Sequence, residues 1–91
     1  MNGFADALFA SRHIPHEFLI VDLELAFRLM DLAQILKDRE IARHIQQSAR
    51  ELYDTVLRLF REVPLNQAES ESVEEKLKLL KKRLEGVGQE F

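Results

Sequence analysis

The sequence predicts an all-α fold: an antiparallel three-helix bundle with an additional short N-terminal helix. Three observations predict it. Apolar residues recur at spacings of three and four along three long stretches. Nowhere do four or more residues alternate cleanly between turn signals, so no strand is expected. The chain is rich in Ala, Leu, Glu, Lys and Arg, with only three Gly and two Pro to interrupt helices. At 91 residues it makes one domain, spanning 1–91.

Residues 2–12 form the short helix, with Asn2 as N-cap and Phe4, Leu8 and Phe9 on one face. A helix this short is unstable alone, so Phe4 and Phe9 must dock on the rest of the chain or on a second copy. Pro15 closes that segment and suits the first turn of the next helix, 16–36. There Phe18, Leu19, Val21, Leu25, Ala26, Leu29, Met30, Leu32, Ala33 and Leu36 share an arc about 200° wide, enough for two partner helices. Its opposite side carries Glu24, Arg28 and Asp31, yet also a second apolar line of Ile20, Phe27 and Ile35.

Asp38 is the N-cap of a helix over 39–63, and the brief Lys37-Asp38 connection forces it antiparallel to its predecessor. Ile41, Ile45, Ala49, Leu52, Val56, Phe60 and Val63 make its seam, widened by Ala42, Tyr53 and Leu59, and Pro64 stops it. Asn66 with Glu69 is a capping-box pattern opening the last helix, 67–85, and is favoured over the later start that Ser72 with Glu75 offers. Val73, Leu77, Leu80, Leu84 and Val87 form a narrow seam that places this helix at the bundle's edge. Gly86 reads as its C-cap, and residues 87–91 are expected to fray.

Composition excludes several classes of function. There is no cysteine, which removes thiolate zinc sites and favours a reducing, cytoplasmic home. The net charge of −3 argues against nucleic acid as a partner. No apolar run approaches the ~20 residues that cross a bilayer, so no membrane association is expected and the protein should be soluble. The basic run around Lys76, Lys78, Lys81, Lys82 and Arg83 is interleaved with Glu69, Glu71, Glu74, Glu75 and Glu85, the mark of a solvated face.

Two constellations bear on chemistry. His13, His16 and Glu17 flank Pro15 and could hold a divalent metal if the imidazoles converged; as a plain reading they are a polar helix start. Asp22 sits at the centre of the apolar arc, where a carboxylate needs a partner or water and, if buried, becomes a general acid or base. These four residues define the alternative reading, a small metal-dependent or acid–base enzyme. The leading expectation is a non-enzymatic helical interaction module without cofactor, metal or catalytic residues. Its partner is a protein, either a second copy or a helical peptide, with homo-oligomerisation, in the simplest case a homodimer, expected. Its contact residues are Ile20, Phe27 and Ile35, with Phe4 and Phe9.

The run LMDLAQILKDREIARHIQQSARELYD resembles a tetratricopeptide-type helical hairpin, with Ala42 and Ala49 seven apart at the helix crossing and Lys37-Asp38-Arg39 at the short turn. Over residues 18–87 the layout is also similar to the three-helix microtubule-interacting-and-transport domain. The repeat's glycine near the turn is absent, and its closing proline has a late counterpart in Pro64. The resemblance implies a scaffold that binds a peptide or helix in an inter-helix groove, and it carries over no particular binding residue.

Overall fold

A computed structural model describes residues 16–91, so the expected helix over 2–12, with Phe4 and Phe9, lies outside the described residues. Three helices follow in order: α1 (His16–Ile35), α2 (Arg39–Glu62) and α3 (Gln67–Gly86), and no strand occurs among the described residues.

Local chemistry places each corner. The Asp38 carboxylate accepts from the Glu40 and Ile41 backbone N–H groups at 3.0 and 3.1 Å, satisfying donors that the first turn of α2 leaves free. At the other end of α2 the Val63 N–H returns to the Leu59 carbonyl at 2.9 Å, and Pro64 then cannot continue the helix. Asn66 and Glu69 bond reciprocally: the Glu69 N–H donates to Asn66 Oδ1 at 2.8 Å and the Asn66 N–H donates to Glu69 Oε1 at 3.1 Å.

The end of α3 corrects two expectations. Gly86 is the last helical residue, and the left-handed position falls on Gly88, at φ +96°. The Gly88 N–H bonds to the Glu85 carbonyl at 3.0 Å and the Gln89 N–H to the Leu84 carbonyl at 3.0 Å, which together form a Schellman closure. Leu84 is fully buried and holds that last turn helical. Beyond it residues 87–91, expected to fray, fold back onto α2, where Arg50 meets the Glu90 carbonyl and the Phe91 ring.

The three helices pack pairwise, with the α1–α2 pair the most extensive. Their directions follow from side chains that meet. Arg83 near the end of α3 reaches Asp31 near the end of α1, so these two run parallel. Arg39 and Arg43, early in α2, share a groove with Gly86 and Val87, so α2 runs against α3. The core is Leu19, Leu23, Ala26 and Met30 of α1, Ala49, Tyr53 and Val56 of α2, and Val73, Leu77, Leu80 and Leu84 of α3. Ala26, Ala33, Ala42 and Ala49 are all buried, and side chains this small let α1 and α2 approach closely.

On α1 the buried face differs from the expected arc. Leu19, Leu23, Ala26, Met30 and Ala33 are buried, a four-three-four-three stripe whose axis is rotated by about 70° from the middle of that arc. Leu23 joins the core although the arc omitted it, while Phe18, Val21, Leu25 and Leu32 of the arc are exposed. The apolar side chains of α1 cover more circumference than two neighbours can bury. Ile41 at the start of α2 is likewise exposed.

Candidate functional site

The half of α1 that its own bundle leaves open is a second apolar seam. Phe18, Val21, Leu25, Leu32 and Ile35 are 53, 58, 47, 40 and 77% exposed, at spacings of three, four, seven and three. Arg28 occupies the gap in that heptad rhythm, and Leu29 is half-buried beside it. From Phe18 to Ile35 the seam runs roughly 26 Å, the length of almost five helical turns. Scattered exposed leucines are ordinary on a surface; a row in heptad register on one helix, interrupted only at Arg28, is not.

Charge frames this seam asymmetrically. Glu17, Glu24 and Asp31 line one flank and Asp22 the other, and Arg28 is the lone cation of the face. Of these, Asp31 is engaged by Arg83 at 2.9 Å. The outer face of α1 therefore combines an apolar row with a net negative border.

The sequence-derived contact residues fall in different places. Ile20 and Phe27 are half-buried and pack against the chain's own core, with the Arg83 guanidinium carbon 5.9 Å from the Phe27 ring centre. Ile35 is exposed, so Ile20, Phe27 and Ile35 do not form one open line. Phe4 and Phe9 lie outside the described residues, as does His13. His16 is half-buried, and its Nε2 is shielded from solvent without a hydrogen-bond partner among the described residues. Glu17 is exposed and Asp22 half-exposed, with no ion pair to either among the described residues. No group of three or more His, Asp or Glu among the described residues is placed to hold a metal ion.

Two further features escaped the sequence reading. One is a groove of about 450 Å³ where the end of α1, the start of α2 and the end of α3 meet, edged by Arg39, Arg43, Gln34 and Gln46. The other is the returning tail. Arg50 stacks its guanidinium carbon 3.8 Å from the Phe91 ring centre, and Tyr53 meets the same ring edge-on at 5.2 Å and 76°. Burial raises the Tyr53 phenol above its ordinary 10.0, and the nearby Asp54 carboxylate adds to the effect. An aromatic just past a Gly-Val-Gly turn is the one sequence signal that could have suggested such a return.

No described helix is long and apolar enough to cross a membrane. Comparison of the chain with protein-family models, curated proteins and solved structures finds no match.

Proposed function

We propose that this chain is a non-enzymatic helical interaction module, and that the outer face of α1 docks a cationic amphipathic helix. The observation that carries this reading is the second seam of α1, Phe18–Val21–Leu25–Leu32–Ile35, unpartnered among the described residues and in heptad register. Such a row is what a partner helix with its own apolar stripe packs against. The border selects the partner's charge: Glu17, Asp22 and Glu24 favour lysines and arginines beside its stripe, Asp31 being already engaged by Arg83. Two α1 helices placed face to face would oppose their acidic flanks, which weighs against symmetric self-pairing through this face.

A second reading keeps the partner within the species. On α3, Leu79 is 53% exposed among the exposed Lys78, Lys82 and Glu75, so α3 of one copy offers an apolar edge with mixed charge to α1 of the next. That contact joins unlike surfaces, so it builds a ring or a chain of copies in place of a two-fold dimer. A cytoplasmic setting fits either reading, on the cysteine-free sequence.

The test is a titration with a synthetic cationic helix of ~18 residues bearing leucines at heptad spacing, enough to span the seam. The wild-type chain binds it in low salt and loses it as salt rises, whereas Leu25→Glu with Leu32→Glu binds at least roughly tenfold more weakly with helicity unchanged. Equal binding by wild type and variant, or none by either, sinks the docking face. A solution mass that grows with concentration and is reset by the same double substitution replaces the foreign helix with a second copy. Stronger binding after Phe4→Ser with Phe9→Ser shows that the first fifteen residues compete for the seam.

A further inference from the structure

The tail contact is more specific than chain-end packing requires. Arg50 is held from one side by Asp54, which accepts from Nε at 3.2 and 3.3 Å. Its Nη1 then donates to the Glu90 main-chain carbonyl at 2.6 Å and, more weakly, to Gln89 Oε1 at 3.4 Å. The flat face of the same guanidinium covers the Phe91 ring, and the Lys81 ammonium lies 5.4 Å from the ring centre. One side chain thus reads a main-chain carbonyl and the aromatic ring that follows it, while a second cation and the Tyr53 ring edge close the other sides. The receptor half is largely covered: Tyr53 is 6% exposed and the Arg50 side chain 19%. The ligand half is open to solvent, since Phe91 stays 47% exposed beyond a turn at Gly88.

We propose that Arg50, Tyr53 and Lys81 form an exchangeable peptide-binding site. Its ligand is an extended segment that presents an aromatic side chain immediately after a free main-chain carbonyl, and residues Gln89–Phe91 occupy the site as an internal competitor. The site lies on the α2–α3 side of the bundle and is independent of the α1 seam. Its chemistry sets a preference. Two cations over one ring favour the electron-rich face of Trp above that of Phe, and a Leu at that position keeps the apolar contact but loses the cation–π attraction. A lysine in place of Arg50 would supply charge without the flat surface or the fixed fork that serves Asp54 and the carbonyl together.

The tail is tethered by a few residues, so it competes at an effective concentration of order millimolar. A separate peptide therefore binds the intact chain poorly and binds the Phe91→Ala chain well. The experiment uses the full chain and a synthetic amide-capped peptide of residues 87–91, read by isothermal titration calorimetry, which serves peptides ending in Phe, Trp or Leu alike. Phe91→Ala is expected to bind this peptide saturably, with apparent affinity roughly tenfold or more above wild type. A peptide carrying Trp in the last position binds more tightly than one carrying Leu. Adding Arg50→Lys to Phe91→Ala abolishes binding while the circular dichroism stays helical. The proposal is overturned if Phe91→Ala shows no saturable change at millimolar peptide, if wild type and Phe91→Ala bind alike, or if Leu and Trp peptides bind equally. Should Phe91→Ala lose helicity, Phe91→Leu is titrated in its place against the same criteria.

Discussion

Arg83 donates to Asp31 at 2.9 Å across 52 positions of sequence, tying the last turns of α3 to those of α1. The pair marks where α3 runs parallel to α1, a direction that two successive chain reversals impose, and its energetic share is small. Asp31 is 68% exposed at its side chain, and an exposed ion pair contributes at most about 1 kcal/mol. A double-mutant cycle of Asp31→Ala and Arg83→Ala in urea should return a coupling below about 1 kcal/mol that shrinks further in added salt. A coupling of several kcal/mol would falsify the view that this bridge adds little to the hold on α3.

What holds α3 is its apolar stripe. Leu80 is fully buried among side chains of all three helices, so Leu80→Ala removes transfer energy and leaves a cavity, costing about 2–5 kcal/mol. A domain of this size has a total stability of only about 5–15 kcal/mol, so the variant should melt far earlier or be partly unfolded at room temperature. Leu79→Ala, one residue away and 53% exposed, should move the melting midpoint little, within about 0.5 kcal/mol. Thermal melts of the two variants side by side decide the matter.

The two glycines that end α3 respond oppositely to a methyl group. Gly86 is helical and a Cβ there meets nothing within 4 Å, so Gly86→Ala should stabilise by up to about 1 kcal/mol through helix propensity. Gly88 has equal space but a φ of +96°, so Gly88→Ala is strained in its backbone alone and should destabilise by about 1–2 kcal/mol. Denaturation midpoints of the pair test the placement of the Schellman closure. If Gly86→Ala were the damaging change, the helix would end two residues earlier than described.

Tyr53 gives the fold a dependence on alkaline pH. Burial, with the Asp54 charge added, raises its phenol above the unfolded value of 10.0, so the folded chain keeps that proton longer than the unfolded one. Stability from this group is therefore complete below the unfolded value and is lost as pH rises through 10.0 towards the folded one. Melting of wild type should fall more steeply over that window than melting of Tyr53→Phe, which has no proton to lose. Parallel curves for the two proteins would remove the effect from Tyr53.

Local chemistry made much of the helical frame legible. Asp38, Pro64 and the Asn66–Glu69 pair each act within four residues, and a capping bond or a missing N–H depends on nothing beyond that range. The α3 stripe Val73–Leu77–Leu80–Leu84 was equally readable, because it is the sole apolar line on an otherwise charged helix. Helix α1 was not, since Phe18, Leu19, Val21, Leu23 and Leu25 surround most of its axis and periodicity cannot rank one apolar half above another. Only the positions of α2 and α3 chose Leu23 for the core and left Leu25 outside. The Arg50–Phe91 contact was hidden for a different reason: a cation and an aromatic 41 positions apart carry no spacing signal.

By itself, then, the sequence determined that this chain is helical, where its turns fall, and that α1 bears more apolar surface than a small bundle can cover. Those are properties of neighbouring residues and of composition. Only the tertiary structure decided which face of α1 is spent inside, that Ile20 and Phe27 belong to the core side, and that the chain's end is bound to Arg50. The physical reason is that burial is shared. A helix with one apolar stripe has a single way to hide it, whereas one with two is oriented by the shapes of its neighbours, Ala42 and Ala49 of α2 foremost, and the stripe they do not take remains open for something else.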